Sequence, residues 1–499
     1  MTHPSYPLAQ RFQPVRSGVR TLQDQLVAFL RGAVAEGTLR PGERLPASRV
    51  LAREMGLSRN TVLVAFERLM AEGYLESRRG AGTYVAAGLP APAMADSHAD
   101  PRDDAPSRRR SRRAQAVREH TSPMVSGNPP GPMTPGLPAL DEFPFTQWAR
   151  LSGRYWRGRN AAELAYTDPA GLPALRAAIS HYLRAYRGVL CEPDQVVVVG
   201  GTQAGIDITA RVLLEAGETV WVEDPGYGAC QKALLGADAR LAPVPVDEDG
   251  IQVEAGEQLA PDARLAFVAP AHQYPTGAVM SLERRLALLD WARRAAAWVL
   301  EDDYDGEFRY GRPPISTLHA LDQGKRVIYL GTLSKVLAPA LRIGYLIVPH
   351  DLHETFAAMK AATDRQMPIG EQAVAAEFIA SGRLAAHVRR LRTLYGRRRE
   401  ALRAALSSHL GELLDIQDSG AGLHFMARFA STLPADTAIA REAQRRGLGV
   451  RALSTSSPLK RQLQGLIIGF ANVPQERADP CAQMLADAIK AAHPHTALA

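Results

Sequence analysis

Apolar residues near the start of the chain recur at helical spacing. "TLQDQLVAFLRGAVAEGTL" carries them every third or fourth position and stops at Gly37. In "RPGERLPASRVLAREMG", Pro46 opens a second helix whose apolar side is Leu51, Ala52 and Met55. In "LSRNTVLVAFERLMAEGYL", Ser58 is the expected N-cap, and Val62, Ala65, Phe66 and Leu69 point inward. "GYLESRRGAGTYVA" then reads as a small hairpin with a basic tip. From about Ser126 the pattern changes. Near-continuous apolar runs ("QVVVVGG", "TVWVEDP", "RLAFVAP", "AWVLEDD", "RVIYLGT") alternate with amphipathic helical stretches. That alternation predicts an α/β unit with a mostly parallel sheet covered on both faces.

Between these regions, residues 87–120 lose all periodicity and fill with Ala, Pro, Asp and Arg, which predicts a linker. Its cluster "SRRRSRR" is a solvated charge run or an aid in holding DNA phosphates. The expected organisation is residues 1–86, a linker over 87–120, and residues 121–499 with a smaller α+β subdomain from about 380. A length of 499 residues suits two or three domains.

Composition changes little. Apolar residues make up 46% and charged residues 22%, an ordinary globular balance. The net charge of +7 is too modest to prove a polyanionic partner. No apolar run is long enough to span a membrane, and the first residues have no apolar signal core. Cys191, Cys230 and Cys481 form no CxxC pair and fit a reducing cytoplasm. No Cys/His cluster has metal-ligand spacing, so no metal is expected.

Two short helices joined by "MGLS" form a helix-turn-helix, whose second helix enters the major groove by its N-terminal residues. Here these are Arg59, Asn60 and Thr61, after the cap Ser58. The stretch resembles the winged helix of the GntR family of bacterial regulators through "LPASRVLAREMGLSRNTV" and "EGYLESRRGAGTYV". That resemblance implies that Ser48 and Arg49 meet phosphate and that Arg59 and Thr61 meet bases or adjoining backbone. It places Arg79 and Gly80 in the minor groove.

The second half carries different chemistry. In "GTLSKVLAPALRIGY", Lys335 offers an amine able to form a Schiff base with an aldehyde cofactor, pyridoxal 5'-phosphate (PLP). Ser334, Thr332 and Arg342 suit a phosphate dianion. The helix opening at Thr202 and Gln203 after "VVVVGG" offers free backbone N–H groups to an anion. Tyr227 follows a strand, where its ring can stack on a flat cofactor. "VLEDDYDGEF" ends another strand with carboxylates able to keep a pyridine nitrogen protonated.

This ordered set resembles fold-type I aminotransferases, and its union with the winged helix resembles the MocR subfamily of GntR regulators, with its GabR, PdxR and TauR branches. The resemblance implies Lys335 as the Schiff-base residue, Asp302 on the pyridine nitrogen, Tyr304 on the ring hydroxyl and Tyr227 on the ring face. It puts Thr202, Gln203, Ser334 and Arg342 around the phosphate, and sends Tyr166 to the phosphate of the other subunit in a homodimer. Two departures stand out. Tyr274 occupies the place before "PTG" where enzymes carry Asn, and Ile467 stands where an arginine grips the substrate carboxylate; Arg451 matches that arginine poorly. His272 and Gln273 are either a hydrogen-bonded loop pair or effector contacts, and His424 reads as a strand residue.

The implied function is a cytoplasmic, homodimeric transcription regulator. It binds operator DNA and senses PLP, or an amine or amino acid that displaces Lys335 from an aldimine. The alternatives are a working aminotransferase with an accessory DNA module and a DNA-binding protein that uses the second fold only to dimerise.

Overall fold

A computed structural model describes residues 11–15, 21–78, 81–88, 109–120, 131–158, 161–311, 316–430, 433–457 and 463–492. The chain divides into two compact units, Met1–Arg109 and Arg110–Ala499.

The first unit comprises α1 (Leu22–Ala35), α2 (Ser48–Glu54), α3 (Arg59–Ala71), β1 (Leu75–Arg78) and β2 (Gly82–Val85). Thr21 and Ser58 cap α1 and α3 through their hydroxyls, which accept from the backbone N–H of Asp24 and Thr61. The expected inward set Val62, Ala65, Phe66 and Leu69 is buried, packed with Leu26, Leu30 and Leu51. Gly37 takes a left-handed conformation just past α1, as its position after the last apolar repeat predicts. One expected boundary moves: the second helix starts at Ser48, two residues after Pro46. β1 and β2 pair antiparallel as the small hairpin.

The second unit opens with α4 (Arg112–Glu119), a helix within the span read as linker, then α5 (Phe145–Arg157) and α6 (Pro173–Tyr186). β3 (Val196–Val199), α7 (Thr202–Leu213), β4 (Thr219–Asp224), α8 (Gly228–Gly236), β5 (Arg240–Asp247), β6 (Gly250–Ile251) and α9 (Val253–Leu259) follow. Next come β7 (Leu265–Val268), α10 (Leu282–Arg294), β8 (Trp298–Asp303), α11 (Leu318–Asp322), β9 (Val327–Thr332) and β10 (Gly344–Ile347). Together these strands form one sheet in the order β3-β10-β9-β8-β7-β4-β5-β6. Neighbours from β9 to β5 run parallel, and only β10 and the short β6 run against their partners. Every residue of β3, β4, β7 and β9 is buried, because helices cover both faces.

After α12 (His353–Thr363) and α13 (Ile369–Ala380), the 28-residue α14 (Arg383–Leu410) leads into a second sheet. Its strands are β11 (Leu414–Gln417), β12 (His424–Phe429), β13 (Arg451–Ala452) and β14 (Gly465–Gly469), ordered β11-β12-β14-β13 and wholly antiparallel. α15 (Asp436–Arg445) and α16 (Ala478–Ala492) complete this smaller α+β part. No helix among the described residues is long and apolar enough to cross a membrane.

Candidate functional site

The parallel strands deliver their C-terminal ends to one crevice, where open α/β sheets bind ligands. Lys335 lies just past β9, and its Nζ donates to the carbonyl of Gly136 at 2.7 Å. Gly136 has φ +69°, and a Cβ there would stand 3.1 Å from that Nζ. The backbone at Gly136 thus meets the lysine; only the turn-rich composition of "GPMTPGLP" marks it in the sequence. Burial pushes the Lys335 amine down, against the pull of Asp305 and Asp302.

Asp302, on β8, is buried, and its Oδ1 has no hydrogen-bond partner among the described residues. Burial drives its carboxyl well up, Asp303 adds to the rise, and Lys335 opposes it. An unpartnered buried carboxylate is costly unless a cation or N–H meets it. Tyr304 lies two residues on, with its hydroxyl 3.1 Å from His272 Nδ1. Tyr227 is the N-cap of α8, its ring edge-on to Tyr274 at 5.9 Å. The residue standing where enzymes carry Asn therefore packs against the candidate stacking ring.

The candidate anion end is built from glycines. α7 begins at Thr202 behind Gly201, which has φ +83°, and no side chain caps its first turn. Arg342 Nη2 donates to Gly200 O at 2.8 Å, and a Cβ on Gly201 would lie 3.0 Å from the guanidinium carbon. Free helix amides and an arginine thus share one corner, which suits a phosphate. Ser334 accepts from Thr332 Oγ1 at 3.0 Å, and its backbone N–H donates back at 3.1 Å. Gln203 is tied to Ala229 O, linking the start of α7 to α8.

Other candidates separate here. Gln273 is structural: its amide donates to Glu223 and to the carbonyls of Pro225 and Tyr274, while its oxygen accepts from Thr276. Tyr166 is exposed, under the guanidinium of Arg365 at 4.4 Å from its ring centre. His424 opens β12, and its ring centre is 4.8 Å from that of His272. The fold brings His272, Asp305 and His424 within 4.8 Å of one another through one ligand atom each, a grouping large sequence separation hides.

Arg451 gains most from the structure. It sits on β13 directly across from Ile467 on β14, the position where the resemblance to aminotransferases implies an arginine. Its charge acts on Lys335, Tyr227 and His424, and it forms no ion pair among the described residues.

In the first unit, Ser58, Arg59 and Asn60 at the start of α3 are exposed, and Thr61 is half-buried. Arg49 is exposed on α2, with Ser48 at its first turn. Arg31, Arg68 and Arg78 are held in ion pairs with Glu72, Asp24 and Glu76, whereas Arg49 and Arg59 form none among the described residues. Arg79 and Gly80 lie outside the described residues.

Comparison with known proteins agrees with this geometry. Residues 139–485 match the family "Aminotransferase class I and II", and residues 22–85 match "Bacterial regulatory proteins, gntR family". The chain is 41% identical over 457 residues to a probable rhizopine catabolism regulatory protein, MocR, of Rhizobium meliloti, covering 90% of each chain. It is 32% identical over 457 residues to the pyridoxine biosynthesis regulator PdxR of Corynebacterium glutamicum, covering 91% of this chain and 92% of that one. Among solved structures, the kynurenine aminotransferase of Pyrococcus horikoshii superposes with a TM-score of 0.67 at 25% identity, over 78% of this chain and 96% of that one. A DNA-binding module of one family and a PLP-enzyme fold of another, joined in one order, make this chain a member of the MocR subfamily of GntR-family transcription regulators.

Proposed function

We propose that the chain is a homodimeric, PLP-binding transcription regulator that changes its hold on operator DNA when the Lys335 pocket is occupied. The unpartnered buried oxygen of Asp302 carries this reading, because a protonated pyridine nitrogen would satisfy it. When bound, PLP supplies an aldehyde that condenses with amines. Lys335 would hold that aldehyde, Asp302 the ring nitrogen and Tyr304 the ring hydroxyl. Tyr227 would cover the ring face, and Thr202, Gln203, Ser334 and Arg342 would surround the phosphate.

Arg451 narrows the effector class. A half-buried, unpaired guanidinium beside Lys335 favours a ligand that carries an anionic group besides its amine. Exposed apolar side chains on and after α5 (Phe145, Trp156 and Tyr166) support a homodimer that covers them. Arg49 and the start of α3 would face DNA, with the phosphate contacts fixing register and Arg59 reaching base edges.

Titration of the purified protein with PLP tests the pocket. A saturable visible absorbance band, absent from Lys335→Ala, is expected; a band that survives the substitution would move the site elsewhere. Arg451 also favours a second reading, an active aminotransferase, since it supplies the cation that the sequence lacked at position 467. Steady turnover of an amino donor with a keto acid, lost in Arg451→Ala, would establish it.

A further inference from the structure

His272 Nδ1 stands 3.1 Å from Asp305 Oδ2 and 3.1 Å from Tyr304 Oη. His272 and Asp305 are fully buried, and Tyr304 is half-buried. A carboxylate only accepts hydrogen bonds, so an Nδ1 lone pair facing it at that distance would repel it. Nδ1 therefore carries the hydrogen, and Asp305 selects that tautomer. Nε2 makes no hydrogen bond among the described residues.

The tautomer fixes the tyrosine. Since Nδ1–H is the donor, Tyr304 Oη accepts in this contact, and its own hydrogen must point elsewhere. Among the described residues, no other group forms a hydrogen bond with that hydroxyl. The imidazole packs against glycine backbone: a Cβ on Gly422 would come within 2.0 Å of His272 Nδ1 and 2.7 Å of Asp305 Oδ2. A Cβ on Gly277 would lie 3.3 Å from Nε2 on the other edge.

We propose that Asp305 and His272 are positioning residues that set the direction of the Tyr304 hydrogen bond and hold its phenol as a donor toward the ring hydroxyl of bound PLP. The inference rests on the proposed PLP site. It assigns to a histidine–aspartate pair the polar support that Tyr274, packed against Tyr227, does not give.

The test uses the full-length protein titrated with PLP, reading the visible spectrum of the bound cofactor and its Kd. Tyr304→Phe is expected to shift the absorbance band and raise Kd about tenfold, the effect of one lost hydrogen bond. His272→Phe should reproduce that shift, and the double substitution should add nothing to either single one. His272→Asn, whose amide can donate from near the Nδ1 position, should restore the native spectrum; this guards against a mere folding defect. Gly422→Ala, which keeps all three residues but crowds the imidazole with a new Cβ, should shift the band as His272→Phe does.

A native spectrum in His272→Phe, beside a shifted one in Tyr304→Phe, would overturn the inference and leave the PLP site standing. Additive effects in the double variant would overturn it too. If the native protein binds no PLP, the site and the inference fall together. A native spectrum that EDTA alters and zinc restores would put a cation among His272, Asp305 and His424 and would also overturn it.

Discussion

Asp302 and Asp303 are adjacent on β8 and point to opposite faces of the sheet, so truncating each should have opposite consequences. Asp303 Oδ2 accepts from Arg187 Nε at 2.8 Å, Arg187 Nη2 at 2.5 Å and Tyr329 Oη at 2.6 Å, with both charged side chains almost wholly buried. Asp303→Ala leaves that guanidinium buried without its counter-charge, which costs about 3–5 kcal/mol. Asp302 Oδ1 has no partner to lose. Removing it relieves a desolvation cost of about 1–3 kcal/mol, offset by lost packing, so the PLP-free protein should keep or gain stability. Urea denaturation followed by circular dichroism, with and without PLP, reads both effects. Asp303→Ala should lower the midpoint under both conditions. Asp302→Ala should match or exceed the native midpoint without PLP and lose most of the rise that PLP gives, since only ligand binding to the folded state supplies it. A native midpoint for Asp303→Ala, or a greater loss from Asp302→Ala without PLP, would refute the assignment of one carboxylate to structure and its neighbour to the cofactor.

Three further outcomes follow from local geometry. His319 is buried with both ring nitrogens unpartnered among the described residues, and burial pushes its pKa down to about 4. The unfolded chain takes up a proton near pH 6.5 that the folded one refuses, so stability present above that pH is lost as pH falls toward 4, by about 2 kcal/mol at pH 5. His319→Phe, which removes no hydrogen bond, should flatten the melting temperature between pH 7 and pH 5; an unchanged slope would place the titration elsewhere. Ser58→Ala should destabilise the first unit by about 1 kcal/mol through loss of the α3 cap, whereas Arg59→Ala should leave its melting unchanged and weaken DNA binding, measured by fluorescence anisotropy against salt. A Cβ on Gly344 would lie 2.8 Å from the Gly201 backbone, so Gly344→Ala should displace the start of α7 and reduce preference for PLP over pyridoxal in competition titrations.

Much of this architecture is legible in the sequence because it follows from periodicity. The buried side of α3 and the all-apolar strands need no knowledge of distant contacts. Chain partners far apart are another matter. α4 has no buried residue and no apolar stripe, yet Val117 lies 3.8 Å from a Cβ placed on Gly236 at the end of α8. No local pattern signals that packing. The Gly136 carbonyl on Lys335 belongs to the backbone, which carries no residue code. His272 and Asp305 are 33 residues apart, and only strand order brings them together. Arg451 fails as a motif but succeeds by register, because β13 lies beside β14 and places it opposite Ile467.

The central claim, that occupancy of the Lys335 pocket governs DNA binding, is tested most directly by footprinting the protein on DNA from its own upstream region. The native chain and Lys335→Ala are compared, each with and without PLP. The account predicts a PLP-dependent change in affinity or footprint for the native chain and none for the variant. Tight native binding that is indifferent to PLP and to the amines tried with it would contradict it.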